Sequence, residues 1–168
     1  MDHPVSFQIV IASQADGIRV RRKQLLEAVA AVLRRHRRRR ASVGISLVDD
    51  RTMARLNWNC LGHRGSTDVL TFDYRDKGET GIDGEIVASV DTARREALAR
   101  GHGLSAELTL YVVHGMLHLL GYDDASAPAA ARMHRMEDSI LKAVGVGPVY
   151  ARGAKASPRR TRKECAGG

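Results

Sequence analysis

The stretch HGMLHLLGYDD, His114 to Asp124, holds two histidines four residues apart, a glycine three later and an aspartate three after that. On a helix, positions i and i+4 share a face, so both imidazoles can grip one ion from the same side. A left-handed glycine at Gly121 would end the helix and turn the chain back, bringing Asp124 in as the third arm. The spacing His-x3-His-x2-Gly-x2-Asp matches the zinc-hydrolase pattern in which a glycine turn delivers the last ligand. Two imidazoles and a carboxylate make a catalytic-type set with a position left for water. Zinc suits these donors first; manganese, nickel and iron suit them on ligand chemistry alone. A plainer reading stands beside this one. His114 and His118 can be core histidines with satisfied partners, and Asp123-Asp124 a loop in which Asp124 or Ser126 caps the last helix. The residue after His114 is Gly115, where a protease of the HExxH type carries its general-base glutamate. A hydrolase built here must find its proton acceptor elsewhere in the chain, in the substrate or in metal-bound hydroxide.

These residues need a scaffold, and the periodicities supply one. VSFQIVIAS alternates, with Val5, Phe7, Ile9 and Ile11 on one face of a strand. Val20 to about Arg38 reads as a helix with a stripe of Leu25, Leu26, Val29, Val32 and Leu33. VGISLVD is a second strand, and Asp49 or Asp50 can cap the short helix DRTMARLNWNCLG, in which Trp58 is expected in the core. GHRGS is a loop, Thr67 to Tyr74 a third strand, RDKGETGID a turn-rich connector and Gly84 to Val90 a fourth strand. Asp91 and Thr92 open the helix TARREALARG, which Gly101 and Gly103 stop. Ser105 caps a helix running to Leu120 that is apolar on nearly all sides and so belongs in the centre of the molecule. A last helix spans Ser126 to Val144. The order β-α-β-α-β-β-α-α-α predicts a single α+β domain over residues 1–145. Its mostly four-stranded sheet is packed by about five helices, with the metal site on the central buried one. Residues 146–168, rich in Gly, Pro, Ala and basic side chains, read as a disordered basic tail.

Composition narrows the function. The formal charge is +8, and a basic chain attracts polyanions, of which nucleic acid is the commonest in a cell. Much of the excess lies in RRHRRRR, Arg34 to Arg40, and in the stretch from Arg152 to Lys163. The first cluster reads equally as an RNA-contacting patch or as a solvated helix end. Aromatics make up only 4%, so base stacking is not an obvious mode of action. No apolar run reaches membrane-spanning length, and the start shows no basic leader with an apolar core. Cys60 and Cys165 are too far apart to suggest a disulfide framework, which fits a reducing, cytoplasmic setting.

HGMLHLLGYDD, taken with LNWNCLGHRGSTDVLTFDY and GEIVASVDTARREA, resembles the YbeY family of bacterial single-strand-specific endoribonucleases, also called rRNA maturation factors. The family's HGxLHLxGYDH signature follows a TDVLSF-like strand and a GDIxIS-like strand. All three blocks occur here in order, over roughly Leu56 to Leu141. The resemblance implies a metal-dependent hydrolase, with one zinc per chain, acting on single-stranded RNA in 16S rRNA 3′-end maturation and ribosome quality control. It also implies the small ribosomal subunit, a ribosomal protein and a GTPase as partners, and makes His114 and His118 metal ligands. Asp124 stands where the family has a third histidine, adding a negative charge that would make bound water less acidic. Leu61 stands where many members have an arginine.

His63 and Arg64 follow Leu61 closely, and Arg64 is the candidate to hold a phosphate, since a guanidinium pairs two phosphoryl oxygens. Asp68 can orient a ligand histidine, or simply start a strand. Glu85 can face the cleft or solvent, and Asp123 can support the site or form a turn. His134 and Glu137 are expected on the surface of the last helix. Two rival functions remain: a zinc peptidase-like hydrolase, and a non-catalytic ribosome-assembly factor with a structural metal.

Overall fold

The computed structural model describes residues 4–147 and Val149. Its elements are β1 (Ser6–Ser13), α1 (Arg22–Arg35), β2 (Arg40–Val48), α2 (Asp50–Leu61), β3 (Val69–Asp73), β4 (Ile82–Ser89), α3 (Val90–Arg100), α4 (Leu104–Leu119) and α5 (Ala127–Ala143). The sequence-derived order is the observed one. The sheet runs β1-β2-β4-β3, with β1, β2 and β4 parallel and β3 antiparallel on the edge.

Strand alternation sorts the sheet into two faces. Ala41, Val43, Ile45 and Leu47 of β2 stand beside Ile82, Gly84, Ile86 and Ala88 of β4, and beside Phe7, Ile9 and Ile11 of β1. This face carries the main core, shared with α1, α4 and α5. The opposite face is covered at one end by α2, whose Met53, Leu56 and Leu61 pack on Val48, Leu70, Val87 and Phe72.

The helix α4 is the centre of the molecule. Every residue from Glu107 to Leu117 is buried, as its all-round apolar sequence predicts. It lies unusually close to the sheet at Gly115. A Cβ there would come within 2.8 Å of Ile86 Cγ2 and 3.1 Å of Thr71 Cγ2. No glutamate fits at this position without pushing the helix off the sheet. Gly115→Ala is therefore expected to destabilise the fold by about 1–3 kcal/mol through overpacking, against about 1 kcal/mol of helix propensity gained. A melting temperature that stays level or rises would refute this close-packing account.

Several ends differ from expectation. Arg37, at φ 52°, ends α1, and the N–H groups of Arg37 and Arg38 donate back to the carbonyls of Arg34 and Leu33. That paired return is a Schellman stop, so the basic run turns a corner instead of continuing the helix. Ser89, not Asp91 or Thr92, caps α3, its hydroxyl accepting from Thr92 N at 3.2 Å. Val90 is thus the first residue of α3 and not the last of β4. Gly103, not Ser105, occupies the N-cap position of α4. Trp58 is 53% exposed, not core, because Met53 and Asn57 take the inner face of α2. Val149 is buried, past the boundary expected at residue 145, and its N–H donates to Asp138. Val146 and Gly147 of the expected tail are also described, while Pro148 and residues 150–168 lie outside the described residues. Among the described residues no helix is long and apolar enough to cross a membrane.

Candidate metal centre

One turn of α4 separates His114 from His118 and brings their Nε2 atoms to 3.1 Å. Gly121, at φ 92°, then reverses the chain. Asp124 comes back with Oδ1 3.9 Å from His118 Nε2 and Oδ2 4.0 Å from His114 Nε2. The three groups offer ligand atoms all within 4.8 Å of one another, a set that could hold a metal ion. Tetrahedral zinc at its usual bond lengths spaces its donors by about 3.3 Å, so only the carboxylate has to close in.

The far ring nitrogens decide what the near ones offer. His118 Nδ1 lies 3.0 Å from the carbonyl oxygen of Tyr122, which can only accept. His114 Nδ1 lies 2.5 Å from Glu137 Oε1. With Glu137 ionised, both Nδ1 atoms carry hydrogen, and in the neutral rings both Nε2 atoms present lone pairs. Two lone pairs facing each other at 3.1 Å repel unless a proton or a metal ion lies between them. The donor set fits a bound metal on that ground. A carboxylate behind a ligand histidine is also the usual way to fix the ring and raise its basicity. His114 and Glu137 are fully buried, while the side chains of His118 and Asp124 are 19% and 15% exposed.

Glu137 was expected on the surface. It lies instead on the buried stripe of α5, with Met133, Ile140 and Leu141. The spacing i, i+4, i+7, i+8 was visible in the sequence; a carboxylate on that stripe was the available signal. Tyr122 was also missed. Its carbonyl holds His118, and its hydroxyl lies 2.9 Å from Nε2 of His36, whose Nδ1 bonds the Val32 carbonyl at 2.8 Å. The guanidinium of Arg132 stands 5.7 Å over the Tyr122 ring. The basic corner after α1 is thereby tied to a histidine of the cluster.

Each of the other candidates has partners of its own. Ser126 caps α5, accepting from Ala129 N at 3.3 Å, so the helix does not need Asp124 as its cap. Asp123 is a turn former: its Oδ1 accepts from Ala125 N at 2.9 Å. Glu85 alternates with Ile86, which packs on Gly115, so it points to the sheet face away from α4. There it accepts from Ser46 and Tyr74 at 2.7 and 3.0 Å. Asp68 accepts from Val69 N at 2.8 Å and from the Thr67 hydroxyl, as a strand-start residue does. His63 is half-buried, and Arg64 is exposed with its guanidinium 6.0 Å over the Trp58 ring.

The loop carrying His63 and Arg64 is anchored. Asn57 donates to the Gly65 carbonyl at 2.9 Å, and the Ser66 hydroxyl to Asp50 at 3.0 Å. Asp50 also accepts from Ser89, Thr92 and Arg95. Partial burial pushes its pKa up, but donation from Arg95, Ser89, Ser66 and Thr92 outweighs this and draws it down to about 2. A depressed carboxylate pKa stabilises the fold above its unfolded value, and that contribution fades as pH falls through the folded value. The loop anchor should therefore weaken between about pH 4 and pH 2. Thermal melts at stepped pH should show Asp50→Asn losing less stability over that window than the parent chain; parallel curves would contradict the assignment.

A family model described as Endoribonuclease YbeY matches residues 10–145. Similar proteins of that name include one from Moorella thermoacetica, 42% identical over 116 residues, covering 63% of this chain and 74% of the relative. One from Anaeromyxobacter sp. is 38% identical over 141 residues, covering 83% and 73%. One from Chlorobium phaeovibrioides is 36% identical over 124 residues, covering 74% and 82%. The solution structure of a Thermotoga maritima protein matches the fold at a TM-score of 0.56 and 21% identity, covering 91% of this chain and 98% of that one. With the model spanning most of the chain and relatives above a third identical, this chain belongs to the YbeY endoribonuclease family.

Proposed function

We propose that this protein is a metal-dependent, single-strand-specific endoribonuclease of 16S rRNA 3′-end maturation and ribosome quality control. Membership of the YbeY family supports an endoribonuclease role in rRNA processing. The observation that carries metal dependence is the approach of His114 Nε2 and His118 Nε2 to 3.1 Å beside the Asp124 carboxylate. When bound there, zinc would polarise a phosphate oxygen and acidify a water. The chain's own part is positional. Glu137 and the Tyr122 carbonyl aim the two rings, and Asp124 would add a negative charge that leaves metal-bound water less acidic than a third histidine would. Arg64, on its anchored loop, is the proposed phosphate contact. The small ribosomal subunit, a ribosomal protein and a GTPase are the proposed partners, and the cytoplasm the proposed location.

Gly115 weighs against the peptidase alternative, since no base of the HExxH kind can be housed there. The non-catalytic alternative draws on one observation. Leu61, at the family's arginine position, packs on the cluster around Met53 and Val87 and presents no cation. A labelled single-stranded rRNA 3′ fragment decides between these. Cleavage that is lost with a chelator and restored by zinc supports the proposal. Salt-sensitive binding without metal-dependent cleavage supports the assembly-factor reading.

A further inference from the structure

The helix α2 turns outward what its sequence led us to place inside. Arg51, Arg55 and Trp58 stand at i, i+4 and i+7, one exposed stripe spanning about 10 Å of the helix. The Trp58 ring is met by the Arg64 guanidinium at 6.0 Å. No acidic residue occurs from Arg51 to Thr67. The two aspartates just before the stripe are engaged elsewhere, Asp49 in capping Thr52 N and Asp50 with Ser66, Ser89, Thr92 and Arg95. Single exposed apolar residues are ordinary on protein surfaces. An exposed tryptophan with a guanidinium on its face, in line with two more arginines, is a different arrangement. It pairs a stacking surface with phosphate-binding cations, the combination by which single strands are held without sequence preference.

We infer that the Arg51–Arg55–Trp58–Arg64 stripe is a binding surface for single-stranded RNA, with Trp58 stacking on an unpaired base. The surface is rigid before any ligand arrives. Met53, Leu56 and Leu61 seat α2 on the sheet, and the Asn57–Gly65 and Ser66–Asp50 hydrogen bonds hold the loop at the two residues that follow Arg64. Preorganisation of this kind lowers the ordering cost of binding. The same loop leads into β3, whose Thr71 meets α4 at Gly115, the residue after His114. The inference rests on the ribonuclease reading for its substrate class, but it names a surface outside the metal cluster and chemistry that cluster does not supply.

Trp58 is the chain's single tryptophan, so intrinsic fluorescence reports on it alone. The full chain is titrated with a 2′-O-methyl RNA oligomer and with an abasic oligomer of equal length and charge, while cleavage of ordinary RNA is followed in parallel. The expected result is quenching by the base-bearing strand and little by the abasic one. Trp58→Ala should weaken binding of the base-bearing strand roughly tenfold, and Trp58→Phe should keep most of it. Arg55→Ala should lower the salt slope by about one. Equal quenching by the abasic strand, no quenching, or a Trp58→Ala chain that binds as tightly as the parent overturns the inference. In the second case a protein partner becomes the occupant to test. Cleavage without quenching removes the platform and leaves the nuclease reading standing. Base-dependent quenching without cleavage does the reverse.

Discussion

His118→Ala is expected to remove zinc from the purified protein and to slow RNA cleavage by more than about a hundredfold. Loss of a residue that merely orients a ligand typically costs 10–100-fold in metal affinity or activity, and loss of a ligand costs more. His118 is the ligand to test first because its side chain is 19% exposed, so water can enter the space that truncation leaves and the fold should survive. His114→Ala should lose zinc equally but melt earlier, since it leaves the fully buried Glu137 without its imidazole partner. Native mass spectrometry gives the zinc content, circular dichroism the fold and a labelled RNA the rate. Full zinc content in folded His118→Ala would show that the cluster is not the metal site.

Glu137→Gln is the second large effect. The substitution keeps the volume and one acceptor oxygen but removes the charge behind His114. Zinc affinity is expected to fall by about 10- to 100-fold with the secondary structure unchanged. Glu137→Ala should add a cavity cost of a few kcal/mol at this fully buried position, so it loses stability as well as zinc. Competition against a chromophoric chelator measures the affinity directly, without reference to turnover. An unchanged zinc affinity in Glu137→Gln would reduce Glu137 to a buried partner of the ring with no bearing on the metal.

The order of elements was readable because each carries a single dominant period. Alternation in β1, an apolar stripe in α1 and an all-round apolar α4 leave few alternatives. The grouping of His114, His118 and Asp124 was readable because they are close in sequence, with one helical turn and a glycine reversal between them. Glu137 was not, because its partner is 23 residues away and a glutamate on an amphipathic helix is ordinarily solvated. Trp58 was misplaced for the opposite reason. Tryptophan is ordinarily buried, but a helix resting on a sheet has one inner face, and the positions of Met53 and Asn57 decide where it lies. Glu85 could have been assigned by parity with Ile86, yet which face holds α4 is a tertiary fact. The exclusion of a side chain at Gly115 likewise exists only in the contact between helix and sheet.

The cluster has a further property in the language of chain topology. Its three ligand-type residues span only 114–124, one helix end and the turn after it. Closing so short a loop costs little entropy, so the geometry can assemble from a local fluctuation without the sheet in place. An ion held there would rivet one corner, where α4 turns toward α5, and would not tie distant parts of the chain together. The His114–Glu137 bond and the Tyr122–His36 bond link that corner to more distant parts of the chain. Removing the ion should therefore speed amide exchange around residues 118–126 while the β2–β4 core keeps its protection, a local loosening and not a global one.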